Sequence, residues 1–355
     1  MKEPRRKILI TGNEAIAEGA LDAGCRFYAG YPITPQNELP AYMSRRMPQL
    51  GGIFIQAESE LAAINMVFGA SAAGALAMTS SSSPGISLKQ EGISYIAGAR
   101  LPAVIVNIMR GGPGLGNIWP AQSDYFQATK SGGHGDYHCL VLAPSTVQEA
   151  YELVKLAFYL AEKYRNPAIL LADGMLGQMM EPLVKNPKSK IPNPKDRRKE
   201  WALTGCKGRA PNIVKSFYMR EGDLEKLNLA LQKHYQLIQA KEERYEGLFL
   251  KDAQIILVAY GTMARISKVA LHTLRQEGIK VGLIRPIALW PFPKKAFAAK
   301  SSSKVRYLVV EMSYGQMLED VLLTVRDKEQ VEFLGRAGGG VPSAEEIIKK
   351  VKKIL

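Results

Sequence analysis

The sequence contains little cysteine and little histidine. Among its 355 residues there are 3 cysteines and 4 histidines. Cys25, Cys139 and Cys206 lie more than 60 residues apart, so the chain carries neither a CxxC pair nor a ferredoxin-type run of cysteines. We therefore expect free thiols in a reducing compartment and no iron–sulfur cluster bound by this chain alone.

The sequence also lacks a long apolar run. No stretch of about 18 apolar residues occurs, which predicts that the chain does not cross a membrane. Near the N-terminus the apolar run Ile8-Leu9-Ile10 is too short for the core of a secretory signal. With 46% hydrophobic and 23% charged residues, the composition is that of a folded protein with room for two domains. These features predict a cytoplasmic protein.

The formal net charge of +14 is concentrated in one place. Residues 185–209 contain nine basic and two acidic side chains, which gives +7, half of the excess. Trp201 is the single aromatic residue there, so the charge lacks a stacking platform and we expect no binding to nucleic acid. A solvated linker and an electrostatic docking site for an acidic protein are both open interpretations of this segment.

The first half of the chain has the pattern of an α/β fold with a mainly parallel sheet, because short apolar runs alternate with segments of helical periodicity. The predicted strands cover residues 26–29, 52–55, 76–79, 103–108, 140–143 and 168–172. The clearest helices are predicted over 58–73 and 147–163, with Ser145 as the N-cap of the second helix.

The composition changes after residue 183. Residues 184–212 are rich in Lys, Pro and Asn, and a polar helix is predicted over 224–245. A second α/β unit follows; its predicted elements are strands at 254–260, 280–284 and 305–311, a helix at 265–277 and a terminal helix from Ala344. We predict a first domain at 1–183, a basic linker with a connecting helix at 184–250, and a second domain at 251–355.

The motif Tyr31-Pro32-Ile33-Thr34-Pro35 follows the first predicted strand. Open α/β sheets bind ligands at the carboxyl ends of their strands, and the two prolines that flank Thr34 stiffen the loop there. A hydroxyl held at Thr34 would be able to bond a carboxylate or a cofactor. The alternative is a stiff strand-to-helix turn with Thr34 or Gln36 near the helix cap.

Two acids, Glu58 and Glu60, open the predicted helix at 58–73. Acidic residues at a helix N-terminus usually cap the first turn or complement the helix dipole, and we expect this of Glu58. Glu60 borders the apolar face of the helix. A carboxylate in that position is suited to share a proton with a heterocycle nitrogen.

Arg110 ends a very apolar predicted strand and precedes a glycine-rich loop. The spacing of Gly112, Gly114 and Gly116 matches neither the dinucleotide-binding fingerprint nor the P-loop. A planar guanidinium at a strand end can hold a carboxylate through two parallel hydrogen bonds. A structural ion pair is the alternative role for Arg110.

Three further features have alternative explanations. The hydroxyl-rich turn at 79–85 either caps the following helix or lines a cofactor pocket. His134 and His138 are four residues apart, but the glycines around them argue against a helix, so we expect no metal there. Asp173-Gly174 is not followed by the Asn pair of a diphosphate-bound Mg²⁺ site, so we expect no metal there either.

Taken together, these motifs resemble, in order and approximate spacing, the alpha subunits of 2-oxoacid:ferredoxin oxidoreductases. The resemblance covers about residues 8–355. It is carried by the segments 12–15, 31–35, 58–74, 79–85, 110–113, 134–136 and 173–174, and by 260–262 and 284–291 in the second unit. It is nearest to the subunit for branched-chain 2-oxoacids such as 2-oxoisovalerate, through 79–85 and 123–127, and the 2-oxoglutarate type is next.

The resemblance implies a pyrimidine-type thiamine-diphosphate-binding domain with a parallel sheet, followed by a transketolase C-terminal-like α/β domain. It implies oxidative decarboxylation of a 2-oxoacid to acyl-CoA and CO₂, with electrons passed to ferredoxin. Thiamine diphosphate would be shared with a beta subunit. Mg²⁺ and [4Fe-4S] clusters would lie on the beta and ferredoxin-like gamma subunits, not on this chain. The 2-oxoacid, coenzyme A and ferredoxin would be the other partners.

The resemblance also implies roles for individual residues. Glu60 would bond N1′ of the aminopyrimidine, and Arg110 and Thr34 would hold the substrate carboxylate as catalytic residues. Pro32, Thr34 and Ser82 would contribute to the cofactor site, and no metal ligand is implied on this chain. The basic segment from residue 184 to 212 departs from the family pattern. A stand-alone thiamine-diphosphate lyase and a non-catalytic scaffold subunit are the functional alternatives.

Overall fold

Two large sheets and a two-stranded ribbon organise the chain. The computed structural model describes residues 7–185, 199–298 and 305–355. The strands of these ranges are β1 (Lys7–Thr11), β2 (Phe27–Gly30), β3 (Ile53–Gln56), β4 (Ala77–Ser81), β5 (Val104–Met109), β6 (Leu140–Leu142), β7 (Ala168–Asp173), β8 (Met180–Val184), β9 (Tyr245–Leu248), β10 (Ile255–Val258), β11 (Val281–Pro286), β12 (Ala288–Trp290), β13 (Arg306–Glu311) and β14 (Val331–Gly335).

Helices cover the sheets. They are α1 (Gly12–Ala23), α2 (Glu38–Arg46), α3 (Glu60–Ala72), α4 (Ser83–Gly98), α5 (Tyr125–Thr129), α6 (Val147–Tyr164), α7 (Gly174–Gln178), α8 (Asp223–Glu242), α9 (Gly261–Gln276), α10 (Lys295–Ala298), α11 (Gln316–Thr324) and α12 (Ala344–Ile354). None of the described helices is long and apolar enough to span a bilayer.

The larger sheet has the strand order β12-β6-β7-β5-β4-β2-β3. Its strands run parallel except β12, which pairs with β6 in the antiparallel sense. β4, β5 and β7 are buried along their whole length, as expected of central parallel strands with helices on both faces. The predicted strands of the first unit correspond to β2 through β7, with ends that differ by at most two residues, so the α/β prediction is confirmed.

The second sheet has the order β14-β13-β10-β11-β9, in which only β9 is antiparallel to its neighbour. The predicted strands at 254–260, 280–284 and 305–311 correspond to β10, β11 and β13. The helix predicted to reach residue 245 ends at Glu242, because the chain then turns into β9 and pairs with β11. That pairing is a long-range contact, which local periodicity does not contain.

Two helix starts differ from the predictions. Ser59 is extended and its hydroxyl accepts a hydrogen bond from Ala62 N at 3.1 Å, so α3 begins at Glu60 and Ser59 takes the capping role expected of Glu58. At α6 the N-cap is Thr146 rather than Ser145. Ser145 instead donates to the Glu149 carboxylate at 2.8 Å.

Buried polar contacts connect the two sheets. Gln122, in the long loop after β5, donates through Nε2 to Tyr260 O at 2.9 Å and accepts at Oε1 from Met312 N at 3.0 Å. Thr262 Oγ1 donates to Asp173 Oδ1 at 2.9 Å. All of these side chains are shielded from solvent. Because buried polar groups are costly to leave unpaired, the Gln122 bonds fix the loop after β5 against the second sheet, and the Thr262 bond fixes α9 against the end of β7.

Candidate active site

Three chain segments meet at the carboxyl edge of the larger sheet. Thr34 lies in the loop after β2, Ser82 in the turn between β4 and α4, and Arg110 directly after β5. Glu60, the first residue of α3, stands beside them. Parallel strands bring their carboxyl ends to one edge, which is why residues so distant in sequence come together.

Glu60 is buried, with 5% of its surface exposed. Its Oε1 accepts a hydrogen bond from Ser81 Oγ at 3.3 Å, and within the described ranges its Oε2 accepts none. A Cβ at Gly85 would lie 2.4 Å from Glu60 Oε1 and 2.0 Å from Ser81 Oγ. Glycine at position 85 is therefore required for the carboxylate to occupy this place, and one carboxylate oxygen is left for a donor on a bound group.

Arg110 is buried, with 7% exposed. Its Nη1 donates to Thr34 O at 2.9 Å and its Nη2 to Leu115 O at 3.0 Å, while its Nε has no partner. Among the ion pairs of the described ranges none involves Arg110, so the alternative of a structural ion pair is not observed. A buried cation without a counter-charge is costly, and this arrangement favours a bound anion. The Thr34 hydroxyl is half-buried and accepts from Asn37 Nδ2 at 3.3 Å.

Asp124 holds the Arg110 region in place. Its Oδ2 accepts hydrogen bonds from Ser83 Oγ at 2.6 Å and from Asn107 Nδ2 at 2.9 Å. The Ser83 hydroxyl also accepts from Arg110 N at 3.0 Å. Burial raises the pKa of Asp124, and these two hydrogen bonds oppose the rise. The network connects the turn after β4 to the end of β5, and neither Asp124 nor Asn107 was identified as a site residue from the sequence. In the sequence, the one sign of this network was Asn107, a polar residue within an otherwise apolar strand.

Ser82 occupies the N-cap position of α4, but its side chain makes no capping hydrogen bond. Its Oγ and that of Thr79 are buried and have no partner among the described residues. A buried hydroxyl without a partner costs about 1–3 kcal/mol, so a bound group that bonds these atoms is the simplest reason to retain them. At Ser82 the capping alternative is therefore not observed.

The loop after β2 is anchored by Gln36. This side chain is fully buried, and its Oε1 accepts from Ser80 Oγ at 2.6 Å. The hydroxyls of Ser80 and Tyr28 are also 2.6 Å apart. Gln36 is thus a tether between the loop and β4 rather than a helix cap. Pro32 is exposed on the same loop, and no described contact joins it to Glu60 or Arg110.

The histidines and Asp173 have structural surroundings. His138 stacks on Trp290 with ring centroids 4.6 Å apart, and His134 is exposed. Asp173 caps α7 through bonds from Met175 N and Leu176 N, and burial raises the pKa of its carboxyl. In the part of the chain that the structure describes, no three His, Cys, Asp or Glu side chains come together as a metal site.

This fold, with polar residues gathered at the carboxyl ends of its parallel strands, defines an α/β protein with a ligand site at that edge. The sequence profile described as pyruvate flavodoxin/ferredoxin oxidoreductase, thiamine diphosphate-binding, matches residues 18–225. That of pyruvate:ferredoxin oxidoreductase core domain II matches residues 253–347. The chain belongs to the pyruvate flavodoxin/ferredoxin oxidoreductase family, and the resemblance inferred from the motifs is confirmed.

Curated relatives match over nearly the whole chain. Ketoisovalerate oxidoreductase subunit VorB of Methanothermobacter marburgensis is 49% identical, over 98% of this chain and 97% of its own length. The 2-oxoglutarate synthase subunit KorA of Methanocaldococcus jannaschii is 36% identical, over 96% and 98% of the two chains.

Two solved structures share the fold. The 2-oxoglutarate:ferredoxin oxidoreductase of Magnetococcus marinus, with 2-oxoglutarate, coenzyme A and succinyl-CoA bound, superposes with a TM-score of 0.88 at 27% identity. The match spans 99% of this chain and 66% of that chain. A split-gene transketolase, described as an inactive beta4 tetramer, gives a TM-score of 0.59 at 13% identity, which shows a common fold.

The residues at the edge of the sheet fit the aminopyrimidine half of thiamine diphosphate. Glu60, a buried residue, offers one carboxylate oxygen as an acceptor, and Gly85 leaves the space beside the carboxylate. Ser82 and Thr79 supply buried hydroxyls that lack partners among the described residues. A heterocycle with both donor and acceptor nitrogens would satisfy these atoms.

Proposed function

We propose that this chain is the alpha subunit of a thiamine-diphosphate-dependent 2-oxoacid:ferredoxin oxidoreductase. The reaction would convert a 2-oxoacid and coenzyme A to acyl-CoA and CO₂, with electrons passed to ferredoxin. The observation that carries the proposal is that a buried Glu60 carboxylate and a buried Arg110 guanidinium both lie at one edge of the sheet, in a chain of this family. An acceptor for a cofactor proton and a cation for a substrate carboxylate are the two groups that this chemistry requires.

Each site residue has a proposed role. Thiamine diphosphate, when bound, supplies the carbon nucleophile and the electron sink for decarboxylation. Glu60 would share a proton with N1′ of its aminopyrimidine, and Pro32, Thr34 and Ser82 would line that site. Arg110 would bind the 2-oxoacid carboxylate, with the Thr34 hydroxyl as a second donor. The Asp124 network would hold Arg110 in position beside the substrate carboxylate.

We propose 2-oxoisovalerate and related branched-chain acids as the substrates. The relative of 49% identity is named for ketoisovalerate, whereas that of 36% is named for 2-oxoglutarate. The loop bonded to Arg110 also supports this choice, because it exposes Leu115, Ile118 and Trp119 and contains no cation between residues 111 and 119. The second carboxylate of 2-oxoglutarate would find no counter-charge in this loop.

We also propose how the complex is organised. A beta subunit would bind the diphosphate through Mg²⁺, and [4Fe-4S] clusters would lie on the beta and gamma subunits, in the cytoplasm. The relatives are named as subunits, which supports partner chains. The three predicted segments, 1–183, 184–250 and 251–355, remain our proposed domain division.

The basic segment is a proposed docking region for an acidic electron acceptor. Part of it, 186–198, lies outside the described residues. Further along the chain, Lys207, Arg209, Lys215 and Arg220 are exposed, which supports an electrostatic role. If the segment steers an acidic ferredoxin, the rate of ferredoxin reduction will fall with ionic strength while reduction of a small viologen dye will not.

The experiment that tests the proposed reaction is anaerobic co-expression of this chain with its presumed partners. Viologen reduction that depends on coenzyme A would be compared for 2-oxoisovalerate, 2-oxoglutarate and pyruvate. Glu60→Gln is expected to abolish activity, whereas Glu58→Gln, an exposed acid two residues earlier, is the matched control and is expected to retain it.

Each outcome distinguishes the candidates. Preference for 2-oxoglutarate would change the substrate and leave the site. Full activity in Glu60→Gln would refute the site, and a complex without 2-oxoacid-dependent reduction would favour a scaffold subunit.

A further inference from the structure

A lysine is buried directly beneath the proposed acid. Lys89, on α4, has no exposed surface. It lies on one face of α4 with Gly85 and Gly92, four residues before it and three after it. A Cβ at Gly92 would lie 2.5 Å from Ile64 Cγ2, so α3 and α4 approach each other closely on both sides of the lysine. Lys89 is therefore enclosed between the two helices.

The ammonium group of Lys89 has little compensation. Its Nζ donates to Glu60 O at 3.4 Å, and no ion pair of the described ranges includes it. Burial lowers its pKa to about 8, and the charge of Glu60 opposes that shift. An apolar side chain would fill the same space without the cost of desolvating a charge. A cation is nevertheless present beside Glu60.

We infer, on the basis of the proposed function, that Lys89 is a positioning residue for Glu60. Its ammonium holds the carbonyl of Glu60 at the start of α3, and it places a positive charge beside the carboxylate that would meet N1′ of the aminopyrimidine. This assignment deepens the proposed site by adding the group that positions its acid.

The neighbouring groups leave Glu60 and Lys89 as the charged pair. From β4, Ser81 presents a hydroxyl, and from α3, Ile64 presents an apolar side chain. Glu60 is the charged group that acts on the pKa of Lys89.

The test uses Lys89→Met in the co-expressed complex. Without the ammonium, the site loses the positive charge beside the Glu60 carboxylate, so the acidic limb of the pH profile of kcat/KM for 2-oxoisovalerate should move up by about 1 pH unit. At pH values below the limb this shift lowers activity about tenfold, and activity should recover as the pH rises. A purely structural role would lower activity equally at all pH values.

The matched control is Lys155→Met. Lys155 is a buried lysine on α6, with its Nζ 4.9 Å from the centroid of the Tyr151 ring, and it takes no part in the proposed site. The control is expected to retain the wild-type profile. If Lys89→Met does not assemble, Lys89→Gln removes the same charge and keeps a polar side chain.

A second readout does not depend on turnover. Proton uptake on binding of thiamine diphosphate and Mg²⁺ would be measured by titration calorimetry in two buffers of different ionisation enthalpy. The wild type and Lys155→Met are expected to take up the same number of protons when the cofactor binds, and Lys89→Met a different number, because the charge beside the site is gone. A wild-type pH profile and wild-type proton uptake in both Lys89→Met and Lys89→Gln would overturn the inference. If Glu60→Gln were inactive in the same experiments, the proposed function would still stand.

Discussion

Replacement of Lys89 by methionine should stabilise the isolated chain at neutral pH. In the folded chain burial lowers the lysine pKa from 10.5 to about 8. At about 1.4 kcal/mol for each pH unit, the charged lysine costs the folded state about 3 kcal/mol at pH 7. Methionine is unbranched and apolar, so it fills the space between α3 and α4 without that cost. Lys89→Met is therefore expected to raise the free energy of unfolding by up to about 3 kcal/mol.

The sign of the pH dependence follows from the direction of the shift. Between pH 8 and 10.5 the unfolded chain binds more protons than the folded chain, so the wild type gains stability as the pH rises through this window. Below about pH 8 both states carry the proton and the full cost is present. The advantage of the methionine variant should therefore be largest at pH 7 and should nearly vanish by pH 10.5.

Urea unfolding followed by circular dichroism, at pH 7 and at pH 10, measures this difference. Equal m-values in the two proteins would license the comparison of midpoints. A variant that is less stable than the wild type at both pH values, or a difference that does not change with pH, would refute the reasoning. It would mean that Lys89 is compensated by contacts other than the bond to Glu60. The same experiment on Lys155→Met provides the control.

Three other substitutions test the site and its support. Gly85→Ala would place a methyl group against the Glu60 carboxylate, so we expect loss of activity in dye reduction and a loss of about 1–3 kcal/mol in the free energy of unfolding in urea. The control is Gly69→Ala, on α3 with open space around it, which should be neutral or slightly stabilising. Leu115→Arg adds a cation beside Arg110, so the ratio of kcat/KM for 2-oxoglutarate to that for 2-oxoisovalerate should rise about tenfold or more, and an unchanged ratio would exclude this loop from substrate selection. Gln122→Ala leaves the backbone groups of Tyr260 and Met312 unpaired, so the free energy of unfolding, measured by heat and by urea, should fall by about 2–4 kcal/mol. No fall would show that these bonds do not hold the sheets together.

The sequence predicted β5 and β7 well because they are almost continuous apolar runs, interrupted at Asn107 and ending at Asp173. It was also able to place Thr34, Ser82 and Arg110 near one another, since each follows a strand of one parallel sheet. The sequence showed that Glu60 lies at the start of a helix. It did not show that this helix start lies close to the other three residues, because that depends on how the helix packs on the sheet.

What the sequence did not reveal depends on long-range contacts. Lys89 stands in the stretch Ser87-Leu88-Lys89-Gln90, where a lysine normally indicates a solvent-exposed helix face. The packing of α3 against Gly85 and Gly92 brings the two helices together around it. The partners of Asp124 come from 41 and 17 residues away, and no local pattern identifies them. β1 and β8 pair across most of the first unit, so neither is recognisable without the other.

The strand β12 has a consequence for how this chain can be divided. It belongs by sequence to the second unit, yet it pairs with β6 at the edge of the larger sheet. A fragment that ended before residue 251 would lose this strand and expose the unpaired backbone of β6, an apolar run at a sheet edge. Such an edge is a template for pairing with another chain. We therefore expect the isolated first half to aggregate on expression, and the chain to stay free of such aggregation when both halves are produced together.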